Sequence, residues 1–374
     1  MKVALVHDWL TGMRGGEKVL EELCRLYPSA DIYTLVYQPE NVSEIINRMS
    51  VRTSFIQRLP FARKRHQVYL PLFPAAIEQF DLSGYDLVIS SSHCAAKGVI
   101  TRPDTCHISY IHAPMRYAWD MYHQYFGPSQ SGSVSRFLIS LFISYLRLWD
   151  RVSADRADYF IANSRHTARR INKHYRRTAE VVYPPIDTDF FTPDSQPRQD
   201  YFLVVSALVP YKRIDIAINA CNKLKLPLVV IGKGVEHTRL QSMASPVVKF
   251  LGYQSDEQIR EHYRQCRALL FPGEEDFGIV PLEAQSCGCP VIAYAAGGAL
   301  ETVTEPERGL LFPEQTGASL AQAIERFAKL HFEPELIRQA AMSFSQQAFR
   351  RRMQQIIEEK FFLYRQTIED TRHA

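Results

Sequence analysis

Two glutamates separated by seven residues, Glu275 and Glu283, sit in the segment Phe271–Ala293, FPGEEDFGIVPLEAQSCGCPVIA. Gly278 between them marks the passage from a loop into a helix. That leaves the first carboxylate on the loop and puts the second about one turn into the helix. N–H groups at a helix start lack intrahelical acceptors and attract anions, and the helix dipole adds to the attraction. A carboxylate on such a helix can accept two hydrogen bonds from a vicinal diol. One on the loop can reach other hydroxyls or stabilise positive charge that develops during a reaction. As an isolated pair, the same residues would also suit the surface of an ordinary helix.

Three more segments put reactive or permissive residues at the ends of apolar runs. Gly12–Lys18, GMRGGEK, follows the first run and contains Gly15 and Gly16. It has neither the spacing of a dinucleotide fingerprint nor the Lys-Ser/Thr ending of a phosphate-binding loop. What glycine offers there is close approach of the backbone to a phosphate or a sugar. Tyr110–Trp119, YIHAPMRYAW, carries His112 at the end of a run, where a satisfied core histidine is the plain alternative. Val205–Asp215, VSALVPYKRID, puts Lys212 and Arg213 where a strand gives way to a helix, and a solvated charge pair is the plain alternative.

The elements that must hold these residues alternate along the chain. Short apolar runs at Lys2–His7, Ile32–Tyr37, Asp86–Ser91, His107–His112 and Asp158–Asn163 read as buried strands. A second series follows at Tyr201–Ser206, Leu228–Ile231, Val247–Leu251, Ala268–Phe271 and Pro290–Ala293. Gly12, Gly15 and Gly16 read as a flexible turn before a helix at Glu17–Tyr27, and helical spacing recurs at Ile214–Leu224, Asp256–Cys266 and Val280–Cys287. Strands separated by helices indicate parallel sheets covered on both faces. Prolines 184, 185, 193 and 197 mark a linker between the two series. The expected fold is therefore α/β, with two Rossmann-like, doubly wound domains at 1–188 and 189–349. The charged stretch Ser345–Arg372 carries Phe349, Met353, Ile356, Ile357 and Phe361 at helical spacing, so a helix over about 350–374 is expected to pack back on the first domain.

Composition narrows the class. At 374 residues, 46% hydrophobic and 22% charged, the chain suits two globular domains rather than a disordered or fibrous protein. A net charge of +4 is too mild for a nucleic-acid binder, so no nucleic-acid partner is expected. Seven cysteines, an odd number without paired Cys-x2-Cys units, read as free thiols in a reducing compartment; Cys287-Gly288-Cys289 reads as a tight helix-to-strand turn. The N-terminus, MKVALVHDWL, reads as a first strand rather than a signal peptide, and no apolar run reaches the length of a spanning helix. The expected location is cytoplasmic, at the inner face of the cytoplasmic membrane. Arg58, Arg63, Lys64, Arg65 and His66 form a basic run, and Phe137–Trp149 is an apolar helix; together they could dock on an anionic membrane, or be a solvated loop and a buried helix.

Glu275 and Glu283, with Phe277-Gly278, Pro281-Leu282, Cys287–Pro290 and Gly297-Gly298 in order around them, resemble the E-x7-E signature of the GT-B glycosyltransferases of family 4, a large group of retaining transferases. The resemblance spans nearly the whole chain and is strongest from Tyr201 to Phe312. It implies two domains facing a central cleft, with the acceptor on the N-terminal side and the nucleotide sugar on the C-terminal side. It assigns Glu275 to the donor sugar, Glu283 to the nucleotide ribose, and Gly278, Ile279 and Val280 to backbone N–H contacts with the donor. Lys212, with Arg213 beside it, resembles the family's cationic clamp on the diphosphate. Ala207 departs from the pattern, since many members carry arginine there, and this puts a two-cation clamp in doubt unless Arg213 replaces it. Gly15 and Gly16 resemble the family's glycine-rich loop, and His112 its donor-sugar histidine. Arg116, Tyr117 and Trp119 are expected on the acceptor side from position alone. Glu301 is a further donor-site candidate, Gly232 and Gly234 are expected to let backbone approach the nucleotide, Asn163–Arg165 is expected at a strand end facing the cleft, and Tyr183–Asp187 is read as structural.

The stretch around His112 is also similar to HAPxRYxWD in mannosyltransferases of bacterial surface-polysaccharide synthesis. The implied activity is retaining hexosyl transfer from a sugar nucleotide, GDP-mannose, to a glycan or polyprenyl-diphosphate-linked acceptor. A UDP-hexose donor is the alternative, and a sugar-nucleotide epimerase or hydrolase, or a binding protein without activity, would fit the same scaffold. No Asp-x-Asp pair follows one of the candidate strands, so neither a metal nor any cofactor beyond the donor is expected.

Overall fold

Apolar runs of four to six residues form the strands because residues covered on both faces need no polar alternation. The computed structural model describes residues 1–120, 122 and 133–373. Its first sheet contains β1 (Val3–His7), β2 (Asp31–Thr34), β3 (Ser50–Thr53), β4 (Leu87–Ser92), β5 (Cys106–Ile111), β6 (Tyr159–Ala162) and β7 (Glu180–Val181). The second contains β8 (Phe202–Val205), β9 (Leu228–Ile231), β10 (Val248–Gly252), β11 (Ala268–Phe271), β12 (Val291–Tyr294) and β13 (Gly309–Phe312). Every pairing is parallel, in the orders β3-β2-β1-β4-β5-β6-β7 and β10-β9-β8-β11-β12-β13. β1, β4 and β5 are buried along their whole length. The fold is thus the expected α/β class with two Rossmann-like sheets.

Three strands were absent from the sequence reading: β3, β7 and β13. All three are sheet edges. β3 is Ser-Val-Arg-Thr with mostly exposed side chains and β7 is two residues long, so neither carries an apolar run to detect. The candidate at Ile32–Tyr37 is corrected as well. β2 stops at Thr34, and Leu35 and Val36 instead bond the loop after β1, through Leu35 N–H to the Asp8 carbonyl (3.1 Å) and Leu10 N–H to the Val36 carbonyl (2.7 Å).

The helices that bear on function are α1 (Gly15–Leu26), α2 (Ser133–Ser153), α3 (Ile214–Leu224), α4 (Asp256–Gln265), α5 (Ile279–Ser286) and α6 (Gln346–His373). Two compact units result, Met1–Pro185 with Phe349–Ala374, and Ile186–Ala348. In the first unit Phe349, Met353, Ile356 and Ile357 of α6 pack into the same core as Leu5, Val19, Leu20 and Leu23. Arg350 of α6 pairs with the buried carboxylate of Glu22 on α1. Each sheet has one point where its strand order reverses, between β1 and β4 in the first unit and between β8 and β11 in the second. Loops leaving the carboxyl ends of strands diverge there, which is where open α/β sheets bind ligands.

Candidate functional site

In the second unit the loop after β8 forms a short 3-10 turn, Pro210–Lys212, and Arg213 adopts a left-handed conformation (φ 50°) to start α3. The loop after β11 runs to Gly278, whose φ of 88° turns the chain into α5. Because β8 and β11 are neighbours, the two loops touch: a Cβ on Gly273 would lie 3.0 Å from the Lys212 backbone. Lys212 Nζ forms an ion pair with Glu275 Oε1, and their side chains are only 15% and 18% exposed. The Glu275 loop is backed by Gly297 and Gly298. Gly298 N–H bonds the Glu275 carbonyl at 2.8 Å, and a Cβ on either glycine would overlap the carbonyl of Glu275 or Phe277.

Glu283 lies just past the middle of α5, 8% exposed, and accepts a hydrogen bond from the Tyr263 hydroxyl of α4 at 3.3 Å. Burial and the nearby carboxylate push the Tyr263 phenol up, so it remains a donor. No side chain caps α5, and Pro281 has no N–H. The N–H groups of Gly278, Ile279 and Val280 are therefore those that a helix start leaves for an anion. Arg213 is held elsewhere: its guanidinium bonds both oxygens of Asp215 (3.1 and 3.2 Å) and Gln315 Oε1 (3.3 Å). Lys212 is the cation placed on Glu275. Glu301 sits on the short helix Ala299–Thr302. Gly232 and Gly234 make room for the backbone of Ser206 and Leu208.

In the first unit His7 ends β1 and pairs in register with Ser91 of β4. The Ser91 hydroxyl lies 3.1 Å from His7 Nδ1 and 2.8 Å from His112 Nε2, so it bridges the two rings. His112 follows β5, with its N–H on the Ser92 carbonyl (2.9 Å) and its carbonyl accepting from Asn163 Nδ2 (2.9 Å). Gly15 and Gly16 open α1 rather than forming a flexible turn before it. A Cβ on Gly16 would lie 3.4 Å from the His7 ring and 3.5 Å from that of His112. Burial pushes the pKa of His7 down and that of His112 well down, the latter helped by His93 and His7, so both rings are neutral near pH 7.

The three residues expected on the acceptor side are tied into the first unit. Trp119 Nε1 donates to Asp150 (2.7 Å) and its ring stacks on His174 at 4.6 Å. The Tyr117 hydroxyl meets Cys94 Sγ at 2.9 Å, and Arg116 lies half-buried beside Tyr117. Sequence reasoning missed the residues that do gather near His112, namely Asp8, Trp9 and His93. Their signal is Asp-Trp directly after one strand and a His directly after another, which means nothing until the two strands are known to be neighbours.

Two family profiles match, one after the other: "Glycosyltransferase Family 4" over residues 13–190 and "Glycosyl transferases group 1" over residues 185–359. The chain belongs to the family 4, group 1 glycosyltransferases. This family member is 33% identical over 195 residues to a D-inositol 3-phosphate glycosyltransferase of Mycobacteroides abscessus, covering 46% of this chain and 44% of that protein. It is 32% identical over 202 residues to the protein of the same name from Geodermatophilus obscurus, covering 45% of each. The match thus spans under half the length of these relatives. In fold it resembles Anabaena Alr3699/HepE in complex with UDP and glucose (TM-score 0.67, 18% identity, 96% of this chain and 99% of that one). It also resembles sucrose-phosphate synthase from Thermosynechococcus elongatus (TM-score 0.70, 16% identity, 97% and 100%).

The chain does contain one Asp-x-Asp, Asp187-Thr188-Asp189, which the sequence places in the linker and which follows the edge strand β7. Asp187 there accepts the Phe190 N–H at 2.9 Å and so caps a turn. Among the described residues no group of three or more His, Cys, Asp or Glu is placed to hold a metal ion, and no helix is long and apolar enough to cross a membrane.

Proposed function

We propose that the chain is a retaining, metal-independent hexosyltransferase that moves mannose from GDP-mannose to a hydroxyl of a glycan or polyprenyl-diphosphate-linked acceptor. The observation that carries this reading is the Lys212–Glu275 pair beside the uncapped start of α5. The bond from the anomeric carbon to the diphosphate oxygen breaks, and negative charge grows on the diphosphate. Lys212 and the N–H groups of Gly278, Ile279 and Val280 stabilise that charge, and Glu275 stabilises the positive charge on the anomeric carbon. The acceptor oxygen bonds to that carbon from the side the diphosphate leaves, and its proton passes to the departing phosphate oxygen. Glu283 accepts from the ribose diol, and neutral His112 hydrogen-bonds a donor-sugar hydroxyl.

The mannose assignment rests on the resemblance of His112–Asp120 to mannosyltransferases. A UDP-hexose is the second reading, favoured by the fold neighbour bound to UDP and glucose. Thermal shift separates them, since a ligand bound only by the folded chain raises its melting temperature. A shift with GDP-mannose and none with UDP-glucose is expected; no shift with any sugar nucleotide removes the whole reading. Turnover that survives EDTA supports metal independence, and nucleotide release that ignores added acceptor would point to a hydrolase or epimerase.

Within the same proposal, the chain works at the cytoplasmic face of an anionic membrane. Phe61 (78% exposed) and Val68 (65%) flank Arg63, Lys64 and Arg65, and Leu141, Tyr145, Leu148 and Val152 form an exposed apolar stripe on α2. His66 is not part of that basic surface: it is buried, and burial pushes its pKa down to about 4. Flotation with anionic vesicles at low salt is the check, and a chain that stays in the dense fraction removes the docking step.

A further inference from the structure

At the carboxyl ends of β1 and β4, the reversal point of the first sheet, Asp8 is fully buried and receives five donors. The N–H groups of His93, Cys94, Ala95 and Ala96 bond its two oxygens at 2.7, 3.0, 2.6 and 2.7 Å, and His93 Nδ1 lies 3.1 Å away. The carboxylate folds the whole turn after β4 around itself, and so fixes the His93 ring. A carboxylate only accepts, so Nδ1 carries a proton, and in the neutral ring Nε2 carries the lone pair. The ring is 33% exposed, and Nε2 has no partner among the described residues. The arrangement is that of an oriented imidazole presented to something outside the protein.

The surroundings indicate what that is. The Trp9 ring lies 4.4 Å from His93, edge to face, and 4.8 Å from His66. His93 also lies 6.2 Å from His7 and 6.3 Å from His112, so it adjoins the cluster described above. Both ring nitrogens of His66 and Nε2 of His7 are buried without a partner. Buried polar atoms are nearly always satisfied, so the orphaned nitrogens of His7 and His66, which flank the Trp9–His93 pair, mark a place short of hydrogen-bonding partners. Burial keeps His7, His66 and His112 neutral, which suits uncharged hydroxyls rather than phosphate. A tryptophan beside them offers the apolar face that a sugar ring needs.

We infer that His93, oriented by Asp8, receives the acceptor hydroxyl on its Nε2, in a sugar subsite walled by Trp9 and His66. The inference rests on the transferase reading above. His93 accepts the hydrogen bond of the attacking hydroxyl and aims the oxygen lone pair; the proton still leaves with the departing phosphate. Asp8 is a positioning residue that acts through His93.

The test is nuclear magnetic resonance of the histidine-labelled full chain, with methyl α-D-mannopyranoside as the probe. His93 should be the Nδ1–H tautomer, and the probe should shift the His93 and His66 ring signals. His93→Ala should weaken probe binding by about tenfold, the loss of a good hydrogen bond, while His93→Gln, which keeps an acceptor, restores part of it. Asp8→Asn should turn His93 to the Nε2–H form; if that variant does not fold, the two His93 variants decide. An Nε2–H tautomer in the unsubstituted chain, or ring signals that do not move at the highest soluble probe concentration, overturns the inference. Thermal shift by sugar nucleotides on the same sample keeps the two readings apart. Nucleotide binding with unmoved His93 signals sinks this inference alone. Moved His93 signals without nucleotide binding sink the transferase reading and leave a sugar site.

Discussion

Lys212 and Glu275 are already paired with each other, so under the proposed reading a diphosphate on Lys212 would compete with the carboxylate. Glu275→Gln keeps shape and hydrogen-bonding capacity and removes the charge that would stabilise a cationic anomeric carbon. It should lower turnover by about 10²-fold or more, as the loss of one preorganised electrostatic group does, with little change in unfolding temperature. Near-normal turnover would take Glu275 out of the reaction. The buried histidines make a separate prediction. Burial, helped by Arg14 and His93, holds the folded pKa of His66 at about 4, against 6.5 for a free histidine. Between those values the unfolded chain binds a proton that the folded chain does not. Stability therefore falls as pH drops through that window and is unaffected by His66 above it. His107, also pushed to about 4 by burial, adds to the same loss. His66→Phe, which keeps a ring against Trp9, should flatten the fall in melting temperature across the window; identical slopes would reject the assignment.

Loops on parallel strands are placed by which strands are neighbours, and their backbones then need room to meet. The Glu275 loop rests on Gly298, whose φ of −70° alanine could adopt, yet a Cβ there would overlap the Phe277 backbone. Gly298→Ala should destabilise by about 1–3 kcal/mol, the usual cost of overpacking, and should lower turnover because the displaced loop carries Glu275. Gly12→Ala meets nothing within 4 Å and should leave the denaturation midpoint nearly unchanged. Equal midpoints for both variants would show that the Glu275 loop is not wedged.

At the scale of the whole molecule, the chain returns at its end to the first unit. Phe349, Met353, Ile356 and Ile357 are each at most 3% exposed in that core. Burying each contributes about 1.5–3 kcal/mol, a sum comparable with the total stability of roughly 5–15 kcal/mol for a folded protein. A chain ending at residue 348 should thus lose the cooperative unfolding of the first unit, while the sheet of the second, complete without α6, stays protected from proteolysis. A truncated chain in which both units resist protease equally would contradict this.

The sequence determined what is local. Ten strands are visible in it because buried strands are apolar runs, and Glu275 and Glu283 separate into loop and helix because Gly278 turns the chain. The apolar face of α6 is visible as a helical period, although not what it covers. Tertiary structure alone decided which strand ends meet. It joined Asp8 to the turn that begins 85 residues later, set Lys212 on Glu275 while Asp215 and Gln315 held Arg213, and anchored Trp119 on Asp150. The edge strands β3 and β7 escaped for the related reason that they are pinned by a neighbour rather than by their own composition. Periodicity reports the environment of one segment, whereas strand order is fixed by the packing of segments distant in sequence, and these sites are made at strand ends.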